Sequence, residues 1–365
     1  MPAQPASFSL FTSLRHDPAL RSSPENSSDI VSFSPSSPFY MLRYHRDRML
    51  EAAQHFEWTE VAKKLADGKN LESLLNQEVE SWRSQNGDAE SPLKVRVLFN
   101  RPGDMQTDIA TTPAIPLSSL YPATFTTPPP PASSSSSKPF TPSPRTGGAL
   151  LDPTLPPSSP KPPPPPSPPA WTLTIDTSPT PTSPHTLLKT THRAHYDAAR
   201  ARSAPAVPGG GGTLHEVLLW NTVGEMTEGS FTSAYFYRGG RWVTPPVGVP
   251  DNVSFSSSPS SSSPPPPSDS LPPPPLGDEG ELRSPFPGRW GHSIRSPKAV
   301  PVGGAGGGQR GTTRRWALKR GLCMEEPVAR ETVAVGEWVW VSNGVRGFGM
   351  GRVVETAAET ARKEG

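Results

Sequence analysis

The chain has 365 residues, 35 Lys and Arg against 33 Asp and Glu, a net charge of +2, and only 33% apolar residues. Near-balanced charge with no long basic stripe leaves no case for a nucleic-acid partner; one cysteine, Cys323, excludes an intrachain disulfide and a multi-cysteine metal site. No apolar run approaches the ~18–20 residues that span a bilayer, so no membrane segment is expected.

The lone cysteine suits a reducing compartment, read as the cytoplasm, and the N-terminus lacks the charged-then-apolar layout of a secretory leader. In chain order, residues 8–14 and 39–43 read as strands. A helix follows over 44–55, with Met49, Ala52, Ala53 and Phe56 at helical spacing. Residues 59–83 read as a further amphipathic helical region, and 94–99 alternate like a strand. This α/β unit is expected to end near residue 122. A second unit, 171–365, opens on a strand at 171–175. A helix over 189–202, strands at 216–220 and 232–237, a hairpin at 238–244, a helix over 312–320 and a strand at 337–341 follow. The expected class is α/β or α+β.

The 51 Pro and 31 Gly are concentrated in blocks. They lie at about 125–170, 177–185, 254–287 and 296–310, and residues 123–170 form the expected linker. Such segments bury too little apolar surface to offset the entropy of ordering and read as disordered spacers. The proline runs at 128–131 and 162–166 also admit another class of function, a non-catalytic protein that binds SH3- or WW-like partners.

Four short segments carry candidate chemistry. Lys189 follows two leucines; an amine beside apolar surface loses proton affinity and becomes a nucleophile toward carbonyls, although a surface lysine at a helix start fits as well. Gly224–Thr232 forms a strand–turn–strand from which Glu228 projects, while Glu225 reads as a turn residue. Gly311-Thr312-Thr313-Arg314 opens a helix, whose free N–H groups suit a phosphate, or else Thr312 is an ordinary cap. Asn343-Gly344 is a turn whose amides suit an anion, and Arg346 just beyond it suits a carboxylate. No cluster with metal-ligand spacing is present.

The order of these segments resembles the C-terminal half of the class-IV aminotransferase family, the fold-type IV enzymes that bind pyridoxal phosphate (PLP). Lys189 with Arg193 resembles the family's Lys-x-x-x-Arg/Asn setting, and Glu228 its Thr/Ser-Glu-Gly/Cys turn. His45-Arg-Asp-Arg48 resembles its His-x-x-Arg pattern. The resemblance implies a two-domain, D-amino-acid aminotransferase-like fold and a homodimer. It also implies that Lys189 is the catalytic, cofactor-bonding lysine and that Glu228 faces the pyridine nitrogen. Arg48, Thr312, Thr313, Asn343 and Gly344 would hold the phosphate, and Arg346 would bind a substrate carboxylate. Val341-Ser-Asn-Gly-Val-Arg-Gly347 and Lys189-Thr-Thr-His-Arg with Tyr196-Asp197 resemble the lyase-like members most. The implied reaction is therefore that of 4-amino-4-deoxychorismate lyase, which releases pyruvate and the folate precursor p-aminobenzoate. A transaminase of branched-chain or D-amino acids is the alternative. Two departures stand out: a glycine-rich insertion precedes Gly311, and Gly344 replaces the hydroxyl residue common in relatives.

Overall fold

The computed structural model describes residues 8–128, 171–206, 214–247 and 308–364. Every element below falls in one compact unit, and Thr126–Pro168 fall outside that unit. The blocks at 129–170, 254–287 and 296–307, with nearly all of both proline runs, lie outside the described residues.

The architecture is mixed α/β. Strands β1 (Leu10–His16), β2 (Leu93–Phe99) and β3 (Met105–Thr111) form an antiparallel sheet in that order. Its strands alternate, so Leu10, Leu14, Val95 and Val97 share one face and are fully buried. Helices α1 (Leu42–His55), α2 (Thr59–Ala66) and α3 (Gly68–Asn86) supply Met49, Ala53, Val61, Leu65 and Leu75 to the same core. The other face of this sheet carries Phe11, Ser13, Lys94 and Arg96, and it borders a cavity.

Two readings of this region change. Residues 39–43 are not a strand: only Phe39 makes a bridge, to His16, and α1 starts at Leu42. The helical region 59–83 is two helices. Asp67 caps the second by accepting hydrogen bonds from the N–H groups of Lys69 and Asn70, at 2.9 and 3.1 Å. Phe125, inside the stretch 123–170 expected to be linker, is buried and its ring stacks on Trp340. A four-residue helix, α4 (Leu117–Leu120), precedes it.

The second sheet has eight strands in the order β6-β5-β4-β11-β10-β7-β8-β9. They are β4 (Trp171–Ile175), β5 (Leu214–Trp220), β6 (Met226–Gly229), β7 (Ser233–Arg238), β8 (Arg241–Thr244), β9 (Met324–Glu325), β10 (Trp338–Asn343) and β11 (Gly347–Val353). Strand β4 runs parallel to both β5 and β11, and the central pairs around β10 are antiparallel. The sequence hides β11 because glycine, the poorest strand former after proline, takes every second position.

The segment 177–185, expected to be a spacer, is ordered. Thr180 N–H donates to the Trp220 carbonyl at 2.8 Å. Ser183 and Thr186 then form a reciprocal cap on a short helix, α5 (Pro184–Leu187). Two further helices, α6 (Ala194–Arg202) and α7 (Thr312–Lys319), flank the cavity. A last helix, α8 (Ala357–Glu364), is capped by Thr356 and Glu359. Among the described residues, no helix is long and apolar enough to cross a membrane.

Candidate active site

The Lys189 segment is an extended strap and not the start of a helix. Leu187 and Leu188 are buried in the core of the three-stranded sheet. Thr190 bridges Leu10 of β1, Thr191 N–H donates to the Ser9 carbonyl at 2.9 Å, and Phe11 N–H donates to the Lys189 carbonyl at 3.2 Å. The β-branched pair Thr190-Thr191 favours this pairing over a helical turn, and α6 starts only at Ala194. The strap fixes the Lys189 backbone and points its amine into a cavity of about 530 Å³, within the range of small-molecule sites.

Arg48, Lys189, Glu228, Thr312, Thr313, Asn343, Gly344 and Arg346 all line this one cavity. Burial pushes the Lys189 amine well below the usual lysine range, and the Arg48 and Arg193 guanidiniums push it further; Glu228 acts in the opposite direction. A lowered proton affinity makes the amine a better nucleophile.

Glu228 sits at the end of β6 in a firm hydrogen-bonded setting. Its Oε1 accepts from the Tyr196 hydroxyl at 2.6 Å and its Oε2 from the Gln309 N–H at 3.1 Å. Gln309 Nε2 donates to the Tyr196 oxygen at 2.8 Å and closes the triangle. Burial raises the carboxyl pKa, and the Tyr196 and Gln309 hydrogen bonds oppose it. Gln309 lies in the stretch expected to be a glycine-rich spacer, yet it is buried. The neighbouring Gly308 is required: a Cβ there would lie 2.5 Å from the Glu228 carboxyl carbon.

A second carboxylate, Glu216, stands behind this turn. It is fully buried and accepts from Ser230 N–H at 2.9 Å, Ser230 Oγ at 2.6 Å and Phe231 N–H at 3.2 Å. It therefore fixes the loop that follows Glu228. Glu216, Tyr196 and Gln309 were not candidates from sequence. Only Tyr196 left a trace there, as part of the lyase-like Tyr196-Asp197 pair.

At the other end, Gly311 precedes α7, and no side chain caps the helix N-terminus. Thr312 and Thr313 are buried against the cavity, and Thr313 Oγ1 accepts from Ser342 Oγ at 2.7 Å, which in turn bonds Tyr235 Oη at 2.8 Å. Arg314 points away: it donates to the Pro245 carbonyl at 2.8 Å and pairs with Glu325 at 2.9 Å. Asn343 Oδ1 accepts from the Val345 and Arg346 N–H groups at 3.0 and 2.8 Å, which shapes the turn. Arg48 donates to Thr12 Oγ1, which also bonds His45 Nδ1 at 2.6 Å. His45 explains the departure at residue 344. Its ring fills the space where a side chain would project, with Cε1 2.4 Å from an ideal Cβ.

These features fit a bound PLP. Arg48 Nε and His45 Nε2 are buried without a hydrogen-bond partner among the described residues. An uncapped helix start faces the same space, as phosphate binding requires. Burial brings Arg48 down only to about 10, so it stays charged at neutral pH. The chemistry of Lys189 and Glu228 suits an aldehyde and a pyridinium nitrogen respectively.

A model of the family described as amino-transferase class IV matches residues 149–249. The match includes Lys189 and Glu228; Arg48, Thr312, Thr313, Asn343 and Gly344 lie outside it. No curated protein matches the chain. Among solved structures, 4-amino-4-deoxychorismate lyase from Pseudomonas aeruginosa is 13% identical, with a TM-score of 0.43 over 97% of this chain and 87% of that one. A fold IV-transaminase from Curtobacterium pusillum is 12% identical, with a TM-score of 0.45 over 99% and 89%. A hypothetical aminotransferase from Mycobacterium tuberculosis is 12% identical, with a TM-score of 0.44 over 99% and 92%. The family whose model matches is the one that the Lys189, Glu228, Gly311-Thr312-Thr313 and Asn343-Gly344 segments resemble, amino-transferase class IV.

Proposed function

We propose that the protein is a PLP-dependent enzyme of the class-IV aminotransferase type, acting as a lyase like that on 4-amino-4-deoxychorismate. The observation that carries this reading is the single cavity in which Lys189 and Glu228 meet the Arg48, Thr312-Thr313 and Asn343-Gly344 anion cup.

When bound, the cofactor supplies an electron sink for the pair released at the amine-bearing carbon of the substrate. The protein's own groups do the rest. Lys189 would hold the cofactor and takes the proton from that carbon, which stays unprotonated as the ring aromatises; the C–O bond to the departing enolpyruvate breaks, and the proton passes to that group to give pyruvate. The lowered proton affinity of Lys189 suits both tasks at neutral pH. Glu228 keeps the ring nitrogen protonated, and Tyr196 and Gln309 hold its carboxylate in place. Arg48, Thr312, Thr313, Asn343 and Gly344 hold the phosphate. Arg346, on the cavity wall beside the Asn343 turn, binds a substrate carboxylate. A homodimer is the assembly that the family resemblance implies.

Purified protein incubated with PLP should show a visible absorbance band that borohydride abolishes, and Lys189→Ala should lack it. A protein without the band overturns the cofactor reading, and a band that survives Lys189→Ala overturns the choice of lysine. Incubation with aminodeoxychorismate should release pyruvate and p-aminobenzoate with no keto-acid acceptor. Turnover that needs an acceptor makes the enzyme a transaminase.

A further inference from the structure

The phosphate cup is assembled from segments far apart in the chain. Arg48 comes from α1, and Thr312 and Thr313 come from the first turn of α7. Tyr44, Asp47 and Glu51 stand at positions i, i+3 and i+7 of α1, so they share the helix face beside Arg48. Two ion pairs join that face to α7. Arg315 Nη1 donates to Asp47 Oδ2 at 2.8 Å, and Arg310 Nη1 donates to Glu51 Oε2 at 3.2 Å. The Arg315 guanidinium carbon also lies 4.0 Å from the Tyr44 ring centroid. The two acids therefore flank Arg48 in sequence, and the two arginines flank Gly311-Thr312-Thr313.

Both pairs are sheltered from water. The side chains of Arg315 and Asp47 are 11% and 8% exposed, and those of Arg310 and Glu51 12% and 17%. Charges so placed are screened less than surface ones, and separating them leaves each without its counter-ion. Asp47 is fixed from its other side as well. Its Oδ1 accepts from Arg46 Nε at 2.9 Å, and Arg46 Nη1 donates to the Leu65 and Ala66 carbonyls at the end of α2, at 3.1 and 3.0 Å. The four paired side chains lie outside the lining of the cavity. Their influence on a ligand there runs through the helices that they hold. Polar contacts to a ligand need placement within about 0.5 Å, so a small slip of α1 against α7 would part Arg48 from the two threonines.

We propose that Asp47–Arg315 and Glu51–Arg310 are positioning pairs that set α1 and α7 in register, so that recognition of the cofactor's phosphate depends on four side chains outside the cup. This proposal rests on the PLP reading above. The sign of the effect separates it from plain electrostatics. Asp47 and Glu51 are acids near an anion site, and their direct field opposes a phosphate. Removing them with the helices unmoved would strengthen phosphate binding. Loss of register weakens it.

The test titrates the full-length protein with PLP and with pyridoxal, which lacks the phosphate, and follows the borohydride-sensitive visible band. The deciding quantity is the ratio of the two affinities, which a general loss of stability leaves unchanged. In Asp47→Ala/Glu51→Ala this ratio should fall at least about fivefold, within the loss of one charge-assisted contact to the phosphate. The fall should come from PLP, with pyridoxal affinity kept within about twofold of the wild type. A smaller fall, a rise, or a fall produced by tighter pyridoxal binding overturns the proposal. If circular dichroism shows that the double variant does not fold, Glu51→Gln alone decides. It keeps the size of the side chain and removes one pair's charge, and a ratio reduced less than about threefold overturns the proposal. A wild type with its band and variants with an unaltered ratio defeat the positioning pairs alone. A wild type without the band defeats the cofactor reading and the pairs with it.

Discussion

Gly344→Ala puts the packing behind the anion cup to a quantitative test. The φ of Gly344 is outside the left-handed region, so alanine meets no backbone penalty and the cost is purely steric. The new Cβ would lie 2.4 Å from His45 Cε1, 2.6 Å from its Nε2 and 3.1 Å from the Ser13 carbonyl oxygen. His45 has little room to yield: it is fully buried and tied to Thr12. Overpacking of this kind costs about 1–3 kcal/mol, which lowers a urea midpoint by roughly 0.3–1.5 M for a slope of about 2–3 kcal/mol/M. Affinity for PLP should fall as well, because the turn must shift. His45→Ala removes the obstacle, so Gly344→Ala added to it should cost under about 0.5 kcal/mol, and the two substitutions should couple by about 1–3 kcal/mol. The assay is urea unfolding of the wild type, both single variants and the double variant, with PLP titration alongside. An equal cost of Gly344→Ala in both backgrounds, or no cost in the wild type, refutes the packing argument.

Tyr196→Phe removes the hydroxyl that holds the Glu228 carboxyl down against the effect of burial. Loss of a hydrogen bond to a charged group, about 1.5–3 kcal/mol, should move the pH profile of the holoenzyme band upward by about one to two units; an unmoved profile counts against the clamp. Acid should destabilise the fold through His16, whose pKa is lowered from 6.5 to about 4, chiefly by burial and then by Arg83 and Arg21. Below pH 6.5 the unfolded chain takes up a proton that the folded chain refuses, so stability falls with pH until about 4 and then levels off. The contribution of this group is on the order of 3 kcal/mol at most. His16→Gln should flatten that part of a plot of melting temperature against pH, and a plot parallel to the wild type would disprove the assignment.

What the sequence determined by itself was the chemistry-bearing segments and the elements with strong periodicity. The Leu10–Leu14 and Val95–Phe99 strands, α1 and the α7 start are set by local alternation, helical spacing and turn residues, which act over a few positions. Lys189, Glu228 and Asn343-Gly344 could be singled out because each carries a local signature, and all of them line the cavity. Signals were also present and unread: Asp67 divides the helical region, and Thr356-Ala-Ala-Glu359 announces α8. The rest was decided only by tertiary structure. Lys189 lies on a strap because Leu187 and Leu188 enter a distant core and Thr190 pairs with β1. Phe125, Thr180 and Gln309 sit in stretches whose composition reads as spacer, and long-range partners order each of them. Glu216 acts from behind a turn 14 residues away in sequence, and only folding sets the Lys94 and Arg96 face of β2 against the cavity. Burial and charge accumulate across segments far apart in the chain, and no local pattern encodes that sum.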